Sequence, residues 1–91
     1  MNNRLFNLGQ VVATQQALQI LEKHNLTPIQ LLQRHVTGDF GDLCEEDCQL
    51  NHEAIKNGER ILSAYEIGGD KLYLITEADR SSTCCLMANE Y

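Results

Sequence analysis

Residues 60–88 read RILSAYEIGGDKLYLITEADRSSTCCLMA. Their apolar residues recur at a period of two, as in half-buried strands. RILSAYEI, KLYLITEA and TCCLMA predict three strands (60–67, 71–78 and 83–88). Gly68-Gly69-Asp70 joins the first two, and Asp79-Arg80-Ser81-Ser82 joins the last two. Turns this short leave an antiparallel meander as the reading.

Upstream of Gly58 the period is that of helices. Thr14 is placed to cap a helix over 15–24, with Ala17, Leu18 and Leu21 on one face and Asn25 at its end. Thr27, Pro28 and Gln30 form the start signal of a second helix that runs to Val36. The third start is Asp42-Leu43-Cys44-Glu45, read as a capping box, with Glu45, Glu46 and Asp47 favouring the positive end of the helix dipole. That helix reaches Asn57, and Gly58 terminates it. Residues 8–13 add a short N-terminal strand candidate. The expectation is one α+β domain over residues 1–91: a strand, three helices, then a three-stranded meander packed on them.

Thirteen carboxylates against seven lysines and arginines give a net charge of −6. An acidic chain is a poor binder of phosphate backbones, so direct nucleic-acid binding is not expected. An acidic decoy for a basic surface is open. The start MNNRLFNLGQ lacks the basic and apolar blocks of a secretory signal, and no apolar run reaches membrane-helix length. A cytoplasmic location and no membrane contact are expected. The four cysteines do not form a zinc pattern: Cys44 and Cys48 suit one helix face, but Cys84 and Cys85 are neighbours in a strand and point to opposite faces. Free thiols, no metal and no cofactor are expected.

On a helical wheel, Asp47 and Asn51 fall between the apolar groups Leu43, Leu50, Ala54 and Cys44, Cys48, Ile55. Both are therefore expected to be largely buried. His35 falls inside the apolar arc of the second helix. A buried carboxylate needs a partner, and His35, Arg34 and Arg80 are the nearest cations. Two readings stay open. The group His35, Asp39, Asp42, Asp47, Asn51, Asp79 and Arg80 is either a closed hydrogen-bond network or a ligand pocket, with an acid/base pair of His35 and Asp47 as a further alternative. No nucleophile, oxyanion hole or phosphate loop accompanies them.

A three-residue loop at Gly68–Asp70 would set Tyr65 opposite Tyr73 and gather Ile61, Tyr65, Ile67, Tyr73 and Ile75 on one face. Leu62, Ala64, Leu72 and Leu74 would fill the other. Helices on one side would leave an apolar face exposed, which predicts a homodimer or a partner-binding surface. A two-residue loop would regroup these faces.

LFNLGQVVAT (5–14), RHVTGDFGDLCEEDCQLNHEAIKNGERILSAY (34–65) and LYLITEADRSSTCCLMANEY (72–91) resemble a family of small bacterial proteins carried by plasmids and integrative elements. The resemblance spans nearly the whole chain. It departs at Tyr73, Cys84 and Cys85, where tryptophan, threonine and an aliphatic residue are more usual. It implies a mobile-element setting and supplies no reaction or catalytic residue. The expected function is a non-enzymatic, protein-binding accessory module with an unknown protein partner. The alternatives are an acidic DNA mimic of the anti-restriction type and a small enzyme using His35 and Asp47.

Overall fold

The computed structural model describes residues 4–91. The elements are β1 (Gln10–Ala13), α1 (Gln15–Lys23), α2 (Pro28–Val36), α3 (Glu45–Asn57), β2 (Ile61–Ile67), β3 (Asp70–Thr76) and β4 (Ser82–Met87). The class is α+β. Strand order is β1-β4-β3-β2. The last three strands form the antiparallel meander, and β1 adds to it parallel to β4.

Local chemistry sets the helix ends. Thr14 Oγ1 accepts the Ala17 N–H at 3.2 Å and donates to Glu90 at 2.7 Å, tying the start of α1 to the C-terminus. At α2, Gln30 Oε1 reaches back to accept the Thr27 N–H at 2.8 Å. Gly58 closes α3 at φ +69°, in the left-handed region glycine enters freely. The start of α3 differs from expectation. Its N-cap is Cys44, two residues later than Asp42, with no side-chain cap bond. Asp42 is committed elsewhere, as shown below.

The hairpin register also differs. Gly68 and Gly69 alone make the turn, so Ile67 faces Asp70 and Tyr65 faces Leu72. Two adjacent glycines, both at positive φ, supply a two-residue turn whose twist suits the strands. That one-residue change swaps the face of every β3 side chain. Ile61, Tyr65 and Ile67 therefore point inward with Leu72 and Leu74, and all five are buried against the helices. Tyr73 and Ile75 lie on the opposite face, and Ile75 is itself buried. The exposed set expected from Ile61, Tyr65, Ile67, Tyr73 and Ile75 does not form.

The outer face carries the row Val12, Cys84, Ile75 and Leu62, in register across all four strands. The C-terminus folds back toward it, with Tyr91 edge-on to Tyr73 at 5.8 Å. No helix among the described residues is long and apolar enough to cross a membrane.

Candidate functional site

The inward face of the sheet carries three hydroxyl residues among its apolar ones: Ser63, Thr76 and Thr83. His35, from α2, meets them. All four are completely buried. His35 Nδ1 lies 2.5 Å from Ser63 Oγ, and Nε2 lies 2.9 Å from Thr76 Oγ1. Thr76 continues to Thr83 at 2.8 Å, and Thr83 donates to the Leu8 carbonyl at 2.8 Å. The terminal carbonyl only accepts, which orders every proton. Thr83 donates to Leu8, Thr76 donates to Thr83, His35 donates through Nε2–H, and Ser63 donates to Nδ1. The imidazole is neutral. Burial pushes its pKa down to about 4. No buried side-chain polar atom among the described residues lacks a partner. This is a closed network, out of reach of a substrate.

The other polar residues go to separate places. Asp47 faces solvent, and no hydrogen bond joins it to His35. Its expected burial is overturned because the buried stripe of α3 is rotated toward Cys48, Asn51 and Ile55, leaving Leu50 exposed as well. Asn51 is buried and holds both backbone groups of Leu62: Nδ2 donates to the carbonyl at 2.7 Å, and Oδ1 accepts the N–H at 3.2 Å. Next along β2, Ala64 donates to Phe40 O at 3.1 Å and accepts the Asp42 N–H at 2.7 Å. Asp42 Oδ2 then accepts the Glu66 N–H at 2.7 Å. Asn51 and Asp42 thus cap the outer edge of β2, residue by residue.

Arg80 donates to four backbone carbonyls, those of Ala54, Glu59, Glu77 and Ala78, at 2.7–3.1 Å. It ties the C-terminal end of α3 to the β3–β4 turn, where Asp79 Oδ1 accepts the Ser81 N–H at 3.0 Å. Asp39 forms a two-point pair with Arg34, at 2.7 and 3.3 Å. The Arg34 hydrogen bond holds the Asp39 carboxyl below the usual carboxylate range. The Arg34 guanidinium also lies over the Tyr65 ring, 4.6 Å from its centroid. Six of the seven residues singled out in the sequence therefore make a core network, an edge cap, a turn clamp and a surface ion pair, and Asp47 joins none of them. They do not converge on one pocket.

The opposite sheet edge is different. Gln10 donates to Ser81 O and Thr14 to Cys85 O, so the alternate N–H groups of Val11 and Ala13 point away from β4. Among the described residues no hydrogen bond reaches them. Val11 and Val12 are 42 % and 43 % exposed, one on each face. Beside this edge lies a groove of about 780 Å³. Leu8, Val11, Ile29 and Leu32 supply apolar walls, and Arg4, Arg34 and Asp39 supply its charges. Ile29, at the entrance to α2, is 64 % exposed. Sequence reasoning missed this site. Its signal is the run of residues 5–21, which contains no charged side chain and no proline to guard an edge strand.

Among the described residues, no group of three or more His, Cys, Asp or Glu side chains is placed to hold one metal ion. Cys84 and Cys85 take opposite faces of β4. No family model, curated protein or solved structure matches the chain.

Proposed function

We propose that the chain is a non-enzymatic protein-binding module that takes up an extended segment of a partner as a fifth strand against β1. One observation carries this. The two edges of the sheet are treated oppositely: β2 is capped from Leu62 to Glu66 by Asn51, Phe40 and Asp42, whereas the outward N–H groups of β1, beside an apolar groove, meet no partner among the described residues. Strand addition supplies main-chain hydrogen bonds for affinity and alternate side-chain pockets for specificity. The low exposure of His35 and Ser63 and the outward position of Asp47 speak against the enzymatic alternative. A mobile-element setting is proposed on the sequence resemblance alone.

The test uses Val11→Pro. Proline at position 11 removes an outward N–H and leaves the β1–β4 hydrogen bonds in place. Amide correlation spectra of the full chain are recorded with an acetylated, amidated peptide of alternating threonine and valine ending in two glutamines. The Ala13 amide should shift in the wild type and stay still in Val11→Pro, with the Leu62 amide unchanged in both. Equal shifts in the two proteins would refute the reading.

A further inference from the structure

We infer that the strand received by β1 carries a side-chain carboxylate that meets the groove's arginines, Arg4 and Arg34, with aliphatic residues at the alternate positions over Val11 and Ile29. This rests on the strand-addition reading and adds the chemistry of the partner.

The argument is one of charge. The chain carries −6, yet the groove is lined by two arginines, Arg4 and Arg34, against one carboxylate, Asp39. The groove is thus locally positive by one charge on an acidic molecule. Two other arginines are engaged away from the groove. Arg80 is consumed by four carbonyls, and Arg60 pairs with Glu77 at 3.2 Å. Arg4 has no ion pair among the described residues. Arg34 is held by Asp39 and by the Tyr65 ring, so its guanidinium is already oriented and loses little side-chain entropy on binding. Gln30 and Gln33 add neutral donors along the same wall.

The same charge distribution disfavours a second copy as the occupant. Residues 5–21 contain no acid, so the β1 strand of a second copy would bring nothing to Arg4 or Arg34. A partner strand with one or two acidic residues completes the groove. Aliphatic side chains on the same face of that strand meet Val11 and Ile29, which are otherwise left to water in part.

The experiment compares three acetylated, amidated peptides on the wild-type chain by amide correlation spectra. Each has the same threonine–valine core and ends in two glutamates, two glutamines or two lysines. The glutamate peptide is expected to bind roughly tenfold more tightly than the glutamine peptide at low salt, with the gap closing as salt rises. The double variant Arg4→Gln, Arg34→Gln should remove the gap while the Leu62 amide, held by Asn51, stays in place. Glutamate and glutamine peptides that shift Val11 and Ala13 with equal affinity overturn the acidic preference and leave strand addition standing. A lysine peptide as tight as the glutamate one overturns it as well. Peptides that shift neither amide overturn both proposals. The same shifts produced by concentrating the protein alone identify a second copy as the occupant and overturn this inference.

Discussion

Asn51 grips Leu62 by both of its backbone groups, donating to the carbonyl at 2.7 Å and accepting the N–H at 3.2 Å. A side-chain amide thereby takes the place of a neighbouring strand at the edge of β2. Asparagine does this because it carries a donor and an acceptor side by side, whereas a carboxylate has no proton to give the carbonyl.

Asn51→Ala should lower the unfolding free energy by about 2–3 kcal/mol, because two partly buried backbone groups lose their partners. Asp47→Ala, four residues away on the same helix, should change stability by no more than about 1 kcal/mol, since an exposed carboxylate in the first helical turn contributes through the dipole alone. Urea unfolding of the two variants beside the wild type checks both. A larger loss at Asp47 would reverse the assignment.

The buried imidazole predicts an acid-sensitive fold. His35 ionises at about 4 in the folded chain, against 6.5 as its ordinary value. As pH falls the unfolded chain therefore takes up this proton first, and unfolding is favoured. The contribution is full above the ordinary value and is lost between there and about pH 4, amounting to about 3 kcal/mol. Urea midpoints measured from neutral pH to pH 4.5 should show this slope, and His35→Gln should flatten it. A slope unchanged in the variant assigns the effect to the carboxylates.

Gly41 sits at φ +78°, and a Cβ there would approach the Ala64 carbonyl oxygen to 2.1 Å. The same segment supplies the Phe40 and Asp42 backbone bonds to β2. Gly41→Ala combines an unfavourable dihedral angle with a backbone collision and should cost more than about 2 kcal/mol. Native-state hydrogen exchange should show the Ala64 and Glu66 amides losing protection ahead of those in β3. Uniform loss across the sheet would argue against a local edge cap.

The thiols should separate by reactivity. Cys44 is exposed, whereas burial pushes the Cys85 thiol up to about 12. Iodoacetamide at mildly alkaline pH should label Cys44 in the folded protein and leave Cys85 unlabelled until denaturant is added. Peptide mapping by mass spectrometry reads the order. Early labelling of Cys85 would show that β4 opens.

The sequence signals that worked were local. Thr14, Thr27 with Gln30, and Gly58 act within one turn of the helix ends they mark, so spacing alone identified them. The change of period after Gly58 marked the meander for the same reason. The errors came from choices that a neighbouring element makes. Gly-Gly and Gly-Gly-Asp are both acceptable loops, yet they differ by one residue and so by a whole face of β3. That slip hid Ser63 and Thr76, which share an inward face only in the true register. Asp47 and Asn51 lie about 40° apart on a helical wheel, and the edge of β2 selects between them. The parallel pairing of Val11 with Thr83 joins residues at opposite ends of the chain and has no local trace.

The hydroxyl line from Ser63 through His35, Thr76 and Thr83 would, if isolated, have two equivalent senses, each donor becoming an acceptor when all protons move over by one place. Leu8 breaks that symmetry, because its carbonyl can only receive. The tautomer at the centre of the core is thus dictated by a backbone atom 75 residues away in sequence from the threonine that touches it. Without that acceptor the line would have no fixed polarity, and the His35 ring would exchange between tautomers that nitrogen chemical shifts distinguish. The N-terminal segment therefore acts as the terminus of a one-way proton arrangement, as well as the lead-in to the strand that is left open.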